Sequence, residues 1–372
     1  MERSASASQP KHTNIGVVGL GIIGRGIAAH LRRKGFAVFV WNRSPRSVPN
    51  FVGSLGELAE LCNYIQIFVS DDDALLQTVE QLSEKLASRH VVLAHCTVAP
   101  DSMRAAAEVV ERRSAQFVEA CFTGSKGAAE KGELVYYVGG TDEALRGARA
   151  ILEASSKQIV QIGAVGHASA IKIATNMVTA ATVQVAAEAL GLVQAQGLSV
   201  EKFVEAMQVN ASYSDTLAMK LPKMLSRDFE PHFSVKHMLK DMQIASQIAL
   251  SHYLDLGVTA AARDQLFEQM QWGRGDDDYS AVLRKYLHES NPGLSEQAQI
   301  QEPVEPFNAE ESIPGAVEAE MQNVEPQEAG LVASSESVLG FSGTMNATAP
   351  AATPLRRGFL RQLLSRFSSG EE

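Results

Sequence analysis

The glycine-rich turn at residues 19–24 leaves few folds open to this chain of 372 residues. The turn reads GLGIIG, follows the apolar run 15–18 and precedes a helical pattern over Ile22–Lys34. In a strand–turn–helix unit the first glycine permits the tight turn, the second lets the backbone approach a pyrophosphate, and the third allows close helix–strand packing. Free N–H groups and the helix dipole favour an anion there. The alternative is a tight turn without a ligand, but the position in the chain favours a dinucleotide site formed by Gly19, Leu20, Gly21, Ile22, Ile23 and Gly24.

The order of apolar runs predicts an α/β fold. Six runs between residue 14 and about residue 163 have the length and composition of strands, and helical patterns separate several of them. The runs are IGVVGL, AVFVW, YIQIFVS, HVVLAHC, QFVEAC and LVYYVGG. This alternation is typical of a doubly wound, Rossmann-type sheet with parallel strands.

After Gly166 the strand patterns stop, and a second, all-α domain is expected. The predicted helices span 168–196, 199–209, 213–225, 234–251 and 257–271. The predicted organisation is a disordered segment 1–12, a dinucleotide-binding domain 13–167, a helical substrate and dimerisation domain 168–290, a disordered acidic linker 291–354 and a short basic amphipathic helix 355–369.

Composition narrows the possible partners and compartment. The formal net charge is −10, but residues 287–372 contain 13 acidic residues against four arginines, so the rest of the chain is nearly neutral. A protein that binds nucleic acid is expected to have a basic surface, and the overall charge gives no support for one. The three cysteines have no disulfide or zinc spacing, which favours a reducing cytoplasm. The apolar stretch 168–193 contains polar residues that would be costly in lipid, so we interpret it as a long buried helix.

The end of the second predicted strand indicates which cofactor is preferred. An enzyme that uses NAD usually has Asp or Glu there to bind the ribose 2′-hydroxyl. This chain has Asn42, Arg43 and Ser44 instead. A guanidinium suits bidentate binding of a 2′-phosphate, which favours NADP, preferably as NADPH over NADH. The alternative is that Arg43 is a solvent-facing residue of a turn.

Five blocks of sequence, taken in order, resemble a known family. They are GLGIIG at 19–24, SDDDAL at 70–75 with CTVAP at 96–100, ACFTGSKGAAEKGELVYYVGG at 120–140, GAVGHASAIKIATN at 163–176, and FEPHFSVKHMLKD at 229–241. Over residues 14 to about 288 the chain is similar to the β-hydroxyacid dehydrogenases of the 3-hydroxyisobutyrate dehydrogenase type. The turn at 42–44 and the TGSK variant most resemble the glyoxylate/succinic semialdehyde reductase branch, which prefers NADPH.

The resemblance implies roles for individual residues. It makes Lys172 the catalytic acid/base, with Asn176 positioning it and the substrate. The expected substrate residues are Thr123, Gly124 and Ser125, which would bind a carboxylate, and Phe233 and Asp241, which would shape the far wall. The expected cofactor residues, besides the turn and residues 42–44, are Val69, Ser70, Thr97 and Lys240.

The residues themselves fit this chemistry. Lys172 and Asn176 are four apart and share one helix face. A lysine ammonium can protonate and stabilise the alkoxide that forms when a carbonyl accepts hydride. Burial in a cleft would lower the lysine pKa for the reverse reaction, and the apolar neighbours Ile171, Ile173 and Ala174 predict that the helix is largely buried there.

Three departures from the family pattern leave the substrate open. Cys121-Phe122 replaces the common Pro-Val, Thr123 replaces Ser, and Ser125 replaces Gly. Cys121 is interpreted as a packed core thiol rather than a nucleophile. We expect no metal site: Asp71–Asp73 is interpreted as a loop and helix cap, and Asp276–Asp278 as a solvated turn.

The sequence therefore predicts an NADPH-dependent reductase of small aldehyde- or keto-acids, running reversibly as a hydroxyacid dehydrogenase. Lys172 argues against an imine reductase, and the helical part is too short for a phosphogluconate enzyme. The alternative from another class is a catalytically idle cofactor-binding scaffold that acts through its tail. A homodimer or homotetramer is expected. The segment 355–369 is predicted to bind a protein partner or an anionic membrane surface. The alternatives are a frayed terminus or a helix that folds back on its own enzyme.

Overall fold

In the computed structural model, residues 13–287 are described, and their strands form one seven-stranded sheet. The strands are β1 (Asn14–Val18), β2 (Ala37–Trp41), β3 (Tyr64–Ile67), β4 (Val91–Ala94), β5 (Gln116–Thr123), β6 (Leu134–Gly139) and β7 (Ser156–Gly163). Their order across the sheet is β2-β1-β3-β4-β5-β6-β7. All six predicted strands are present, and the predicted α/β class is confirmed.

Two features of the sheet differ from the prediction. First, β5 and β6 pair antiparallel, whereas all the other pairs are parallel. Second, β7 was not predicted. It lies at the edge of the sheet, and polar residues such as Lys157, Gln158 and Gln161 interrupt its short apolar run, so it lacks the pattern of a buried strand.

Helices cover both faces of the sheet. They are α1 (Ile22–Arg33), α2 (Leu55–Leu61), α3 (Asp72–Ser83), α4 (Pro100–Glu111), α5 (Lys126–Lys131) and α6 (Asp142–Glu153). One apolar core contains side chains from α2, α3 and α4, and the core on the opposite face contains side chains from α1, α5 and α6. Asp71 caps α3 by accepting a hydrogen bond from Ala74 N–H at 2.9 Å, which confirms the interpretation of Asp71–Asp73 as a loop and helix cap.

The second half of the described chain is helical. It consists of α7 (His167–Ala195), α8 (Val200–Gln208), α9 (Asp215–Ser226), α10 (Val235–Ser251), α11 (Gly257–Gln271) and a short 3-10 helix (Tyr279–Lys285). The five predicted helices agree with α7–α11 within two residues at each end. The long helix α7 packs against β5 and against α9, α10 and α11.

Helix α7 is less buried than the sequence suggested. By length and composition it could cross a membrane, and 39% of its most apolar 18-residue window is buried. Ile173 is buried, but Ile171 is 41% exposed and Ala174 is exposed, so the prediction from these three neighbours was wrong for two of them. The large apolar side chains that are exposed on α7 recur every seven residues and form the α7 stripe: Ile171, Val178, Val185 and Leu192.

A buried ion pair ties the end of the described chain to the helices. Lys220 Nζ on α9 lies 2.7 and 2.8 Å from the two carboxylate oxygens of Asp278, and both side chains are almost fully buried. Asp278 also accepts hydrogen bonds from Ser280 Oγ and from the N–H groups of His232 and Phe233. The interpretation of Asp276–Asp278 as a solvated turn was therefore wrong for Asp278, whose charge is compensated inside the fold.

Candidate active site

The glycine-rich turn has the geometry that the motif predicts. Gly19 has φ +91°, and a Cβ there would overlap with the carbonyl oxygen of Phe68, the residue that follows the neighbouring strand β3. A Cβ on Gly24 would overlap with the carbonyl oxygen of Gly19, so α1 can lie this close to the turn only without a side chain there. These two glycines hold the turn and the helix in place.

Gly21 differs from the other two glycines because the space beside it is open. It is the N-cap of α1, it makes no side-chain cap, and no described atom lies within 4 Å of the place a Cβ would take. The first turn of α1 also contains no acidic residue. An uncapped helix N-terminus with room for close backbone approach fits a dinucleotide pyrophosphate at residues 19–24.

Asn42 links the glycine-rich turn to the loop after β2. Its Oδ1 accepts a hydrogen bond from Leu20 N–H at 2.9 Å, and its Nδ2 donates to the Ser44 carbonyl oxygen at 2.8 Å. The Asn42 amide is therefore already used to hold the two turns together. Arg43 and Ser44 are exposed beside it and can reach a ligand.

The carboxylate of Asp71 lies near Arg43 in the loop after β2 and near Lys240 on α10. Ser70 Oγ donates to Asp71 Oδ2 at 2.6 Å. Partial burial raises the pKa of Asp71, but the hydrogen bonds from Ser70 and Ala74 and the charges of Lys240 and Arg43 outweigh it, and the pKa lies below its usual value. Arg43, Asp71 and Lys240 therefore lie close enough to interact. Val69 and Ser70 lie in the short segment between β3 and Asp71, and their place in a cofactor cleft stays a prediction.

Lys172 lies in the second turn of α7 and is half-buried. Burial lowers its pKa below that of a free lysine, and the charge of Asp241 partly opposes the shift. Within residues 13–287 its ammonium makes no hydrogen bond and no ion pair, so the donor is available for a ligand. A lowered pKa makes the neutral amine easier to reach than in an exposed lysine, which suits a residue that must both give and take a proton.

A chain of polar contacts runs through Asp241, whose charge acts on Lys172. Asn176 Nδ2 donates to Asp241 Oδ2 at 2.6 Å, and both side chains are buried. Lys240 Nζ lies 2.8 Å from Asp241 Oδ1 and also donates to the Thr97 carbonyl oxygen. The structure thus brings together four of the predicted site residues, from α7, α10 and the loop after β4.

The predicted carboxylate-binding loop follows β5. Thr123 is the last residue of the strand, and Gly124 has φ +137° with Leu134 packed so closely that a side chain would not fit. Ser125 Oγ accepts a hydrogen bond from Ala128 N–H at 3.4 Å and so caps α5. Its hydroxyl hydrogen remains available for donation to a ligand.

Phe233, which was predicted to shape the far wall of the substrate site, packs against aromatic side chains of the helical half. Its ring lies 6.2 Å from the ring of His237 and 6.0 Å from that of Tyr279. Its N–H donates to the Asp278 carboxylate at 3.3 Å. Phe233 is therefore fixed from three sides at the beginning of α10.

Sequence reasoning missed two polar residues near the site. His237 is half-buried one turn before Asp241 on α10, and its Nδ1 lies 2.8 Å from Ser234 Oγ. Glu119 is fully buried in the middle of β5. A signal for the second was present, because an acidic residue inside the apolar run QFVEAC must find donors once the strand is buried.

Cys121 borders this arrangement, with its Sγ 3.7 Å from Ser169 Oγ, but it is not a reactive thiol. Cys121 is fully buried, and burial raises its pKa well above the usual value, as expected of a packed core thiol. Among residues 13–287 no three His, Cys, Asp or Glu side chains are grouped so that they could hold a metal ion.

Two family models match the described chain end to end. Residues 14–163 match the NAD binding domain of 6-phosphogluconate dehydrogenase, and residues 166–286 match the NAD-binding domain of NADP-dependent 3-hydroxyisobutyrate dehydrogenase. The chain belongs to the β-hydroxyacid dehydrogenase family, oxidoreductases that act on CH–OH groups with a nicotinamide cofactor.

Individual relatives and structures agree with this family. The chain is 27% identical over 279 residues to glyoxylate/succinic semialdehyde reductase 1 of Arabidopsis thaliana, covering 72% of this chain and 96% of the relative. It is 28% identical over 291 residues to the cytokine-like nuclear factor N-PAC of Anopheles gambiae, covering 75% of this chain but only 51% of that protein. The structure of Mycobacterium tuberculosis 3-hydroxyisobutyrate dehydrogenase with L-serine shares the fold, with a TM-score of 0.67, 22% identity and coverage of 74% and 99%.

Proposed function

We propose that the protein reduces a small aldehyde- or keto-acid to the hydroxy acid with NADPH, and that the reaction is reversible. The observation that carries the proposal is Lys172: it is half-buried, has a lowered pKa and a free ammonium, and lies four residues from an Asn176 that Asp241 holds. The similarity to a protein named glyoxylate/succinic semialdehyde reductase supports a small carbonyl acid as the substrate.

The proposed mechanism divides the work between cofactor and protein. The bound cofactor supplies the hydride. The loop Thr123–Ser125 binds the substrate carboxylate through hydroxyl and N–H groups. Lys172 donates a proton to the carbonyl oxygen as negative charge develops there, and Asn176 fixes the orientation of that oxygen. In the reverse direction the neutral amine of Lys172 removes the proton from the alcohol.

This role gives the two directions opposite pH dependence. Reduction needs the Lys172 ammonium, so its rate falls as pH rises through the lysine pKa. Oxidation needs the free amine, so its rate rises over the same range. Because burial lowers the pKa of Lys172, both transitions lie below the pH at which an exposed lysine titrates.

The preference for NADPH rests on the loop after β2. The exposed Arg43 guanidinium and Ser44 hydroxyl can bind a 2′-phosphate, and the strand end has no carboxylate to repel it. The predicted contact of Asn42 with the cofactor is better understood as an indirect one, since its amide links Leu20 to Ser44.

The test combines a substrate panel with one variant. Glyoxylate, succinic semialdehyde, methylmalonate semialdehyde and tartronate semialdehyde are assayed with NADPH and NADH. On the best substrate, Lys172→Ala lowers turnover by about 10²–10⁴, the usual contribution of one acid/base group, while NADPH binding is retained. Lys157→Ala, which removes an exposed lysine on β7, is the matched control. Wild-type turnover by Lys172→Ala contradicts the proposal.

The alternative function is an idle cofactor-binding scaffold. It is favoured by the N-PAC relatives, which are named nuclear factors and of which the chain spans about half. The Asn176–Asp241 hydrogen bond and the free, half-buried Lys172 ammonium would have no purpose in such a protein. Cofactor oxidation by the wild-type protein on any member of the panel excludes it.

Three proposals concern the surroundings of the protein. The α7 stripe supports a homodimer or homotetramer, since apolar side chains at regular spacing on one helix favour a second copy. Three free, buried cysteines support a cytoplasmic location. The segment 355–369, proposed to bind a partner protein or membrane, lies outside the described residues, as do the segments 1–12 and 291–354.

A further inference from the structure

Glu119 is a buried carboxylate that the proposed mechanism does not use. It lies in the middle of β5, four residues before Thr123, and has no exposed surface. Within residues 13–287 no Lys, Arg or His side chain forms an ion pair with it. A buried carboxylate is costly unless hydrogen bonds compensate its charge, so the donors that it has found indicate what it does.

All the backbone donors of Glu119 belong to the start of α7. Oε2 accepts hydrogen bonds from Gly166 N–H at 2.7 Å and Ala168 N–H at 3.2 Å. Oε1 accepts one from Ser169 N–H at 2.6 Å. The N-cap of α7, Gly166, has no side chain to supply such a cap, so Glu119 caps the helix from 47 residues earlier in the chain.

The carboxylate has little room to move. Gly139 is its partner across the β5–β6 ladder, and a Cβ at Gly139 would lie 2.8 Å from Glu119 Oε2. Gly166 adopts φ +92°, and at this turn the N–H groups of residues 166, 168 and 169 face the same carboxylate, while that of His167 donates to the Ala164 carbonyl oxygen. Glycines on two elements therefore enclose Glu119, and the link between β5 and α7 is rigid.

The two elements that Glu119 joins, β5 and α7, contain or precede the residues of the proposed site. Ser169, which donates to Glu119, is one helical turn before Lys172. The strand that contains Glu119 ends at Thr123, where the carboxylate-binding loop begins. We propose that Glu119 is a positioning residue, which sets the place of the Lys172 amine relative to the substrate loop. This inference rests on the proposed function of Lys172.

The test uses the full-length protein and a control of equal burial. Glu119→Gln removes the charge and presents an NH₂ group to backbone N–H donors. Tyr136→Phe removes another fully buried hydrogen bond of the same sheet, from Tyr136 to Ser155 at 3.0 Å, without touching α7. Each variant is measured by hydrogen–deuterium exchange of peptides covering residues 164–176 and by kcat and KM on the best substrate.

The proposal predicts a specific split between these measurements. Glu119→Gln exchanges faster over residues 164–176 and loses about tenfold in kcat, while KM for NADPH stays within about twofold. Tyr136→Phe loses thermal stability but keeps the exchange of α7 and kcat. If Glu119→Gln does not fold, Glu119→Asp replaces it, because it keeps the charge but reaches α7 less well, and it is expected to show the same split to a smaller extent.

Each contrary result is informative. Faster exchange with unchanged kcat shows that Glu119 only stabilises the helix, and unchanged exchange shows that it does not anchor α7 at all; both overturn the proposal. An equal loss of kcat in Tyr136→Phe also overturns it. If the wild-type protein reduces no carbonyl acid, the proposed function fails first, and the anchoring of α7 is still decided by the exchange data.

Discussion

The exposed guanidinium of Arg43 is the side chain on which the proposed preference for NADPH depends. Arg43→Ala is expected to raise KM for NADPH about tenfold or more, because a charge-assisted contact to the 2′-phosphate is lost, and to leave KM for NADH nearly unchanged. Steady-state kinetics with both cofactors measure this difference. Arg46→Ala, an exposed arginine of the same loop, is the control. Equal effects on the two cofactors, or a wild-type preference for NADH, would show that the phosphate is bound elsewhere.

His95 gives the fold a dependence on acid that is separate from catalysis. The ring is fully buried, its Nδ1 lies 2.8 Å from the Ala120 carbonyl oxygen, and it stacks on Phe68 with a centroid distance of 4.5 Å. Burial lowers the pKa of His95 to about 4, against about 6.5 in an unfolded chain. Between these values the unfolded chain binds a proton that the folded protein does not. Stability is therefore lost as pH falls from about 6.5 to about 4.

The size of this effect can be measured by comparison with a variant that does not titrate. His95→Gln can still donate to Ala120. The loss of unfolding free energy between pH 7 and pH 4.5 is expected to be smaller in the variant by about 2 kcal/mol, from about 1.4 kcal/mol for each unit of pKa shift. Urea unfolding at the two pH values gives both numbers. The same pH dependence in both proteins would mean that other groups cause the acid sensitivity.

At the scale of the element, substitutions in the glycine-rich turn and α1 distinguish glycines needed for folding from a glycine needed for cofactor binding. Gly24→Ala forces α1 away from the Gly19 carbonyl, so a loss of both thermal stability and NADPH binding is expected. Gly21→Ala adds a methyl group in open space and leaves Tm nearly unchanged, but the methyl group lies where the pyrophosphate would approach. Gly21→Ala is therefore expected to weaken NADPH binding at least about tenfold, which corresponds to about 1.4 kcal/mol. Calorimetry with and without NADPH measures both effects, and normal NADPH binding by Gly21→Ala would place the pyrophosphate elsewhere.

The elements that the sequence predicted are those with a strong pattern of burial. β1–β6 and α7–α11 each have a long apolar run or stripe, and periodicity is the main signal in a single sequence. The helices α2, α5 and α6 and the strand β7 were not predicted. The first two helices have only seven and six residues, and β7 lies at the sheet edge, so tertiary packing rather than local pattern determines these three elements. Helix α6 has twelve residues, a Thr141 cap and a buried apolar stripe, so a local signal for it was present in the sequence.

In the site, too, features that depend on local spacing were predicted, and contacts between residues distant in the chain were not. The positions of Lys172 and Asn176 on one helix face followed from their spacing. The partners of Asn176 and Glu119 did not, because each lies about 50 or more residues away in the chain. The error over Asp278 has the same cause: Lys220, which compensates its charge, is 58 residues earlier. A run of three aspartates gives no local sign that its last member is buried.

At the scale of the whole molecule, the α7 stripe provides a test of self-association. Val178, Val185 and Leu192 are 68%, 60% and 65% exposed in the single chain. If a second copy covers them, Val185→Glu buries a charge in the interface and is expected to shift the protein toward the monomer in light scattering. Val209→Glu, at an apolar position 89% exposed at the end of α8, is the control and should leave the mass unchanged. A monomeric wild-type protein would contradict the proposed oligomer.

The buried pair of Lys220 and Asp278 has a consequence for how this protein can diverge over evolutionary time. Loss of one partner leaves an uncompensated charge in the helical core and costs about 3–5 kcal/mol, a large part of the margin by which a typical domain stays folded. Replacement of both by apolar residues of similar volume can be neutral. A lineage can therefore cross from one solution to the other only through a weakened intermediate. Among descendants of a common ancestor the two positions should change together, and a sequence that has lost one charge but kept the other should be rare.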